Sequence, residues 1–353
     1  MHKTFTREHS NRAKGLAILL LLSYHLFENE KLITSMAVNH APFSLEGFLV
    51  FTQFGNVCVS VFVFLTAFGI TSGLLGQEAA RSGFSAKSVC RQSVHRFLRL
   101  MLNFVFLYLS VNLLWWYKFD YRSLYGMDKQ GILFFLTDAA GLSMFFEGSP
   151  TLNATWWYME IAYLLIFLVP LLAWLVTKTG YSLLIFAWFA PMVITFHPDI
   201  SRYLFEAAFG GCAACGKWPE KLLNLRLSPL LQWILGLAGF VLCVLIRQNY
   251  VVHEYYIHLA DAPIALFLVY FGSALAGSIP LLGKFLAFVG KHAMNIYLVH
   301  TFFYMSLWQP YIYHFKYAWA TFLLLLALCL LYSVLLEAAK RLTRFEKLLA
   351  RLR

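Results

Sequence analysis

"KGLAILLLLSYHLFENE" occupies residues 14–30, an apolar run with a lysine at its start and a histidine well inside it. Lys14 and His25 are eleven residues apart, which at about 100° per residue brings them back onto one helix face, about 16 Å apart along the axis. A stretch of this kind is the length that crosses a bilayer, which needs roughly 20 apolar residues. The rest of the chain agrees. Of its 353 residues 60% are hydrophobic, 18% aromatic and only 13% charged, and the mean hydropathy is +0.67. A soluble domain carries about a quarter charged residues. The composition therefore predicts an all-α, polytopic helix bundle whose solvent is lipid, a multi-pass membrane protein.

A formal net charge of +11 raises the question of nucleic acid. The charges lie between apolar runs and not along one soluble face, so they predict loops against an anionic leaflet and no nucleic-acid partner. The six cysteines fall mostly in apolar segments and form no disulfide or metal framework. "GGCAACG" at 210–216 has a CxxC spacing, but its small neighbours predict a tight helix contact, with no metal site. The polar opening "MHKTFTREHSNRAK" has no signal-peptide pattern, so the apolar run after it is expected to be the first span.

About ten spans are predicted, at residues 13–29, 51–75, 100–117, 154–177, 180–197, 202–216, 228–247, 261–279, 285–307 and 317–338. The stretch 130–146 is too short to cross, carries Asp138 in its middle, and reads as a re-entrant or interfacial helix. With the N-terminus inside, inner segments hold twenty Lys and Arg and outer segments seven, with Lys291 inside a span. That bias predicts N-in and C-in. No loop has room for a separate soluble domain, so residues 1–353 are expected to form a single transmembrane domain. Its end, 339–353, reads as a basic amphipathic cytoplasmic tail, and 81–99 reads as a similar surface stretch.

Four constellations bear chemistry. A lysine at a helix end snorkels ordinarily, but an ionisable imidazole inside a span faces a cavity or a partner, which singles out His25. In "TLNATWWYMEIAYLLIFLVP" the carboxylate of Glu160 is buried within a span, and Trp156, Glu160 and Tyr163 share one helix face. If that face meets the first helix, Glu160 orients His25 or holds its proton; the plain reading is an interfacial aromatic belt. "GKHAMNIYLVHTFFY" places Lys291, His292, Asn295 and His300 in one span, a polar lumen. Lys87, Arg91, Arg96 and Arg99 form a basic strip that fits a phosphate clamp or simple positive-inside topology.

Together these stretches resemble the acyltransferase-3 family of integral membrane acyltransferases. Lys14 followed by His25 in "RAKGLAILLLLSYH" is similar to its opening Arg/Lys-x10-His. "FGNVCVSVFVFLTAFGITSG" (54–73) resembles its aromatic-rich second motif, with Thr66-Ala67 where Ser-Gly is usual. "HRFLRL" resembles its basic motif with His95 for an arginine, "TWWYMEIAYLL" its W-[FY]-x-x-E segment, and "GKHAMNIYLVHTFF" its final motif with Ala293 for serine. The likeness runs from about residue 10 to 305 and is closest to stand-alone members without an extracytoplasmic hydrolase-like domain.

What the resemblance implies is O-acylation. An acyl group, most often acetyl, passes from cytosolic acetyl-CoA or another acyl-CoA, which is a donor substrate and not a resident cofactor, to a hydroxyl of a cell-surface or lipid-linked glycan. It makes His25 and Glu160 catalytic, puts Lys14, Arg96 and Arg99 on the donor, and puts Trp156, Tyr163, Asn295 and His300 at the substrate. The imidazole of His25 then serves as general base or takes the acyl group itself. A transporter or flippase of a lipid-linked sugar is the competing class, since ionisable residues in spans also mark transport paths. A non-catalytic scaffold leaves the buried histidine and glutamate without a purpose.

Overall fold

The first helix, α1 (Arg7–Phe27), starts at Thr6, whose hydroxyl accepts from the His9 backbone N–H while the His9 ring accepts from the Thr6 N–H. That reciprocal cap satisfies two donors at the helix start. In the computed structural model, which describes residues 3–80, 85–146, 148–194, 198–250 and 257–351, α1 is the hub. Around it lie α2 (Leu45–Phe54), α3 (Cys58–Ala80), α4 (Ala86–Trp115), α5 (Lys129–Ala139), α6 (Tyr158–Thr179), α7 (Leu183–Val193), α8 (Pro198–Gly216), α9 (Pro229–Tyr250), α10 (Ile257–Tyr270), α11 (Pro280–Lys291), α12 (Ala293–Thr301), α13 (Ala318–Leu342) and α14 (Phe345–Ala350). Among the described residues there is no strand, only a single bridge between Asn39 and Tyr317. The bundle is all-α.

Among the described residues, six helical runs are long and apolar enough to cross a membrane: Leu45–Gln77, Ala86–Lys118, Ala154–Ala190, Pro229–Gln248, Leu259–Ser278 and Ala318–Leu342. The fourth and fifth predicted spans share the run Ala154–Ala190, which passes the left-handed Gly180 into α7, and the remaining predicted spans fall on α1, on α8 and on the α11–α12 pair. Residues 195–197 of the fifth predicted span, 81–84 of the basic stretch and 352–353 of the tail lie outside the described residues.

Three boundaries differ from the sequence expectation, each for a physical reason. The stretch 81–99 is no separate surface element from Ala86 onward, because α4 is one helix of 30 residues and carries Arg91, Arg96 and Arg99 on its first half. The ninth span is not one helix. Pro280 opens α11, where a proline costs no hydrogen bond, and the chain breaks at His292 before α12 begins. Lys340 belongs to the bundle and not to a surface tail. Its ammonium is buried, bonded to Glu337 at 2.8 Å and to Asn103 of α4 at 3.0 Å.

The short helix α5 does not cross. Asp138 is buried in its last turn, accepting from Tyr125 Oη at 2.5 Å, Ser143 Oγ at 3.0 Å and the Leu152 backbone N–H at 2.9 Å. The carboxylate that looked out of place in an apolar stretch is the knot of the loop over α4. "GGCAACG" does lie at a tight contact: a Cβ on Gly210 would come within 2.8 Å of the Phe64 carbonyl oxygen on α3.

Among the described residues the closest backbone approach joins α1 to α11. A Cβ on Gly15 would collide with the Leu286 carbonyl, and a Cβ on Gly290 with the Asn11 carbonyl. Each carbonyl lies four residues before the partner glycine, so the contact is reciprocal. Small residues that let two backbones touch are the usual means of joining helices in lipid. Ten residues beyond the two glycines, His25 and His300 meet with ring centroids 4.9 Å apart. The helices therefore advance together, and α1 runs parallel to α11–α12. Gly15→Ala or Gly290→Ala must force them apart, an overpacking cost of about 1–3 kcal/mol or more. Gly69→Ala, which meets nothing within 4 Å, is the control. Thermal unfolding in detergent should show a clear loss for the first two and none for the third.

Candidate functional site

His25 sits in the last turn of α1. The carbonyls that a helix end leaves unbonded find partners there: Tyr313 Oη donates to the Leu26 carbonyl at 2.7 Å and Thr52 Oγ1 to that of Phe27 at 3.3 Å. The next residue, Glu28, turns its carboxylate back to His25 Nδ1 at 3.3 Å and also lies within hydrogen-bond reach of the Tyr24 hydroxyl. A carboxylate only accepts, so Nδ1 carries a proton, and in the neutral ring Nε2 is then the nitrogen with the lone pair. The His25 side chain is 18% exposed.

His300 faces it from α12 and is fully buried. Its Nδ1 lies 2.6 Å from the Tyr297 carbonyl oxygen, an acceptor, so Nδ1 again holds the proton. Nε2 is buried with no hydrogen-bond partner. Leaving a buried acceptor unpaired costs on the order of 1–3 kcal/mol, a cost usually met at functional positions. Beyond Thr301 the chain widens into a π-turn over Phe302–Leu307, a feature frequent at functional sites. The turn sets the Tyr304 ring 5.9 Å from His300 and 6.4 Å from His25. Two imidazoles and a tyrosine thus share one small volume.

The other sequence candidates occupy different places. Lys14 is half-buried on α1, beside the Gly15 crossing. On α4, Arg96 is half-buried with Nη1 unpaired and Nη2 3.9 Å from where a Cβ on Gly73 of α3 would stand, while Arg99 is exposed. Glu160 is buried on α6, which packs on α3, α4 and α8. Trp156 is buried among Phe104, Tyr108 and Phe302, and its indole N–H donates to the Leu298 carbonyl on α12 at 2.9 Å. Tyr163 donates to the Ala140 carbonyl at 2.8 Å and packs against Phe97. Asn295 donates to Ser333 at 2.9 Å and Glu337 at 3.0 Å, and His292 bonds Ser333 at 2.8 Å. These last contacts tie α12 to α13, and through Lys340 to α4.

The structure therefore joins His25 to His300 and adds two groups that the motifs do not name, Glu28 and Tyr304. Glu28 had a signal in the sequence, since His25-x-x-Glu28 is the i, i+3 spacing of neighbours on a helix. Tyr304 had none, because its position depends on the π-turn.

The family model for the acyltransferase domain matches residues 10–338. The chain belongs to the acyltransferase-3 family. With its apolar helices, it is a multi-pass membrane O-acyltransferase that moves an acyl group to a hydroxyl. No curated protein and no solved structure matches it.

Trp156→Phe keeps the aromatic packing and removes the one bond from this segment to the Leu298 carbonyl. Stability should fall by about 1 kcal/mol. His300 rides on α12, so O-acyl transfer should fall as well, with expression retained. An unchanged melting temperature with unchanged transfer would show that the bond does not position α12.

Proposed function

We propose that the chain transfers an acyl group, acetyl first among them, from cytosolic acyl-CoA to a hydroxyl of a cell-surface or lipid-linked glycan across the inner or plasma membrane. The observation that carries this reading is the pair of imidazoles on α1 and α12, each with Nδ1 in a hydrogen bond, His25 partly exposed and His300 buried with Nε2 unpaired. About ten spans with N-in and C-in topology complete the proposal, supported by the twenty-to-seven bias of basic residues. In that orientation Lys14 lies at the cytoplasmic end of α1 and His25 lies toward the outer face.

The charged end of the donor then rests on Lys14, Arg96 and Arg99, matching cations to its phosphates. Its long thin arm runs along α1 over the roughly 16 Å between Lys14 and His25. The acceptor hydroxyl gives its proton to His25 Nε2, its oxygen forms the ester bond to the acyl carbon, the donor's C–S bond is broken, and the thiolate of CoA takes up the proton from His25 to leave as thiol. Glu28 holds the ring in the tautomer that this step requires. Glu160, Trp156 and Tyr163 act through α6 and its neighbours as positioning groups, and Asn295 does the same for α12.

The test compares variants by O-acetyl content of the surface glycan and by transfer from labelled acetyl-CoA. His25→Ala should abolish transfer. Glu28→Gln keeps the shape, loses the charge that fixes the base, and should lower kcat by about 10²-fold, within the usual share of a general base. Glu160→Gln should lower stability more than kcat. Full transfer in Glu28→Gln with loss in Glu160→Gln would reassign the orienting carboxylate. Lys14→Arg should retain more activity than Lys14→Ala, read as the KM for acetyl-CoA. Equal loss in both would point to lysine geometry instead of charge.

A further inference from the structure

The two imidazoles are alike in tautomer and unlike in surroundings. His25 is backed by a carboxylate and partly open. His300 is backed by a neutral peptide carbonyl and closed off, with Nε2 unpaired. We propose that they divide the reaction: His300 Nε2 carries the acyl group as a covalent intermediate, and His25 handles only the acceptor's proton. This rests on the reading of the chain as an acyl-CoA-dependent acyltransferase.

Carboxylate backing holds the proton on Nδ1 and leaves Nε2 to accept the acceptor's proton, which suits a base. It does not suit an acyl carrier, which must release its acyl group after its lone pair has been spent. Exposure is a second reason. An acyl-imidazole is reactive toward water, and the partly open His25 would lose its acyl group to hydrolysis. His300 is shielded, and its unpaired nitrogen has no protein partner to give up before it attacks. A neutral imidazole with its proton on Nδ1 already carries a lone pair on Nε2, so it needs no base to attack.

In the first step His300 Nε2 attacks the thioester carbonyl. A C–N bond forms, the C–S bond breaks, and CoA departs as thiolate. The ring is then an N-acyl imidazolium whose Nδ1–H stays on the Tyr297 carbonyl. In the second step the acceptor hydroxyl gives its proton to His25 Nε2 while its oxygen attacks the acyl carbon. The C–O bond forms, the C–N bond breaks, and the electron pair returns to His300 Nε2. His25 passes its proton through water to the thiolate. The sum is one hydroxyl and one thioester giving one ester and one thiol. With the rings 4.9 Å apart, the carried acyl group lies beside the base that activates its acceptor.

The first step alone is reversible and needs no acceptor, so it can be read by itself. The full chain in lipid nanodiscs, given acetyl-CoA and isotopically labelled CoA without glycan, should move label into acetyl-CoA. His25→Gln should still exchange and fail to acylate the glycan. His300→Asn, whose amide can keep the bond to the Tyr297 carbonyl and so preserve the fold, should drop exchange to background. Rapid quench and peptide mass analysis should place one acetyl group on the peptide bearing His300. Transfer to glycan without any exchange, exchange that survives in His300→Asn, or an acetyl group on His25 would each overturn the division. A protein that neither exchanges nor transfers with acetyl-CoA, yet acylates its glycan in cells, would overturn the acetyl-CoA reading itself.

Discussion

The crossing of α1 and α11 at Gly15 and Gly290 fixes everything that follows in this bundle. In lipid there is little hydrophobic gain in bringing two apolar helices together, so close packing of small residues must supply the specificity. Here each glycine admits a backbone carbonyl of the other helix, and the contact is reciprocal. Such a contact has one register. Sliding either helix by a residue presents a Cβ to a carbonyl. Because α12 continues the path of α11, that register reaches ten residues further and decides which side chains of the two helices meet. They are His25 and His300.

Polar satisfaction then holds the pair in place. The end of α1 would expose carbonyls in a dry interior, but Tyr313 and Thr52 cover two of them. Glu28 is left to serve the imidazole. On the other side, α12 is held from several directions: Trp156 donates to Leu298, Tyr297 donates to the Thr155 carbonyl, and Asn295 and His292 share Ser333. The buried Lys340, bonded to Glu337 and Asn103, extends this net to α4, the helix that bears Arg96. One connected set of hydrogen bonds thus runs between the helix with the basic strip and the helix with the buried histidine.

Much of this was legible in the sequence, for definite reasons. Apolar runs reported the bundle, and helical phase put Lys14 and His25 on one face of α1. The features that stayed hidden depend on tertiary contacts. The basic first half of α4 reads as surface until Ser93 and Phe97 are seen packed on α6, and Lys340 reads as tail until Glu337 and Asn103 close on it. The break at His292 and the π-turn before Trp308 leave no pattern of apolar spacing. One signal was present and unused. Gly15 precedes His25 by the same interval as Gly290 precedes His300, and equal spacing on two helices is what a parallel glycine crossing requires if the histidines are to meet.

The same crossing explains why two histidines in equivalent register differ in chemistry. α1 ends at Phe27, two residues after His25, so the chain turns and brings Glu28 back to the ring. α12 does not stop at His300 in the same way. It widens into the π-turn, and the ring of His300 bonds backward to Tyr297 in its own helix. A helix end supplies a side-chain carboxylate and an approach from outside; a continuing helix supplies a peptide carbonyl and burial. The difference between a proton acceptor and a shielded nucleophile follows from where each helix stops, given a contact that forces the two rings to the same height.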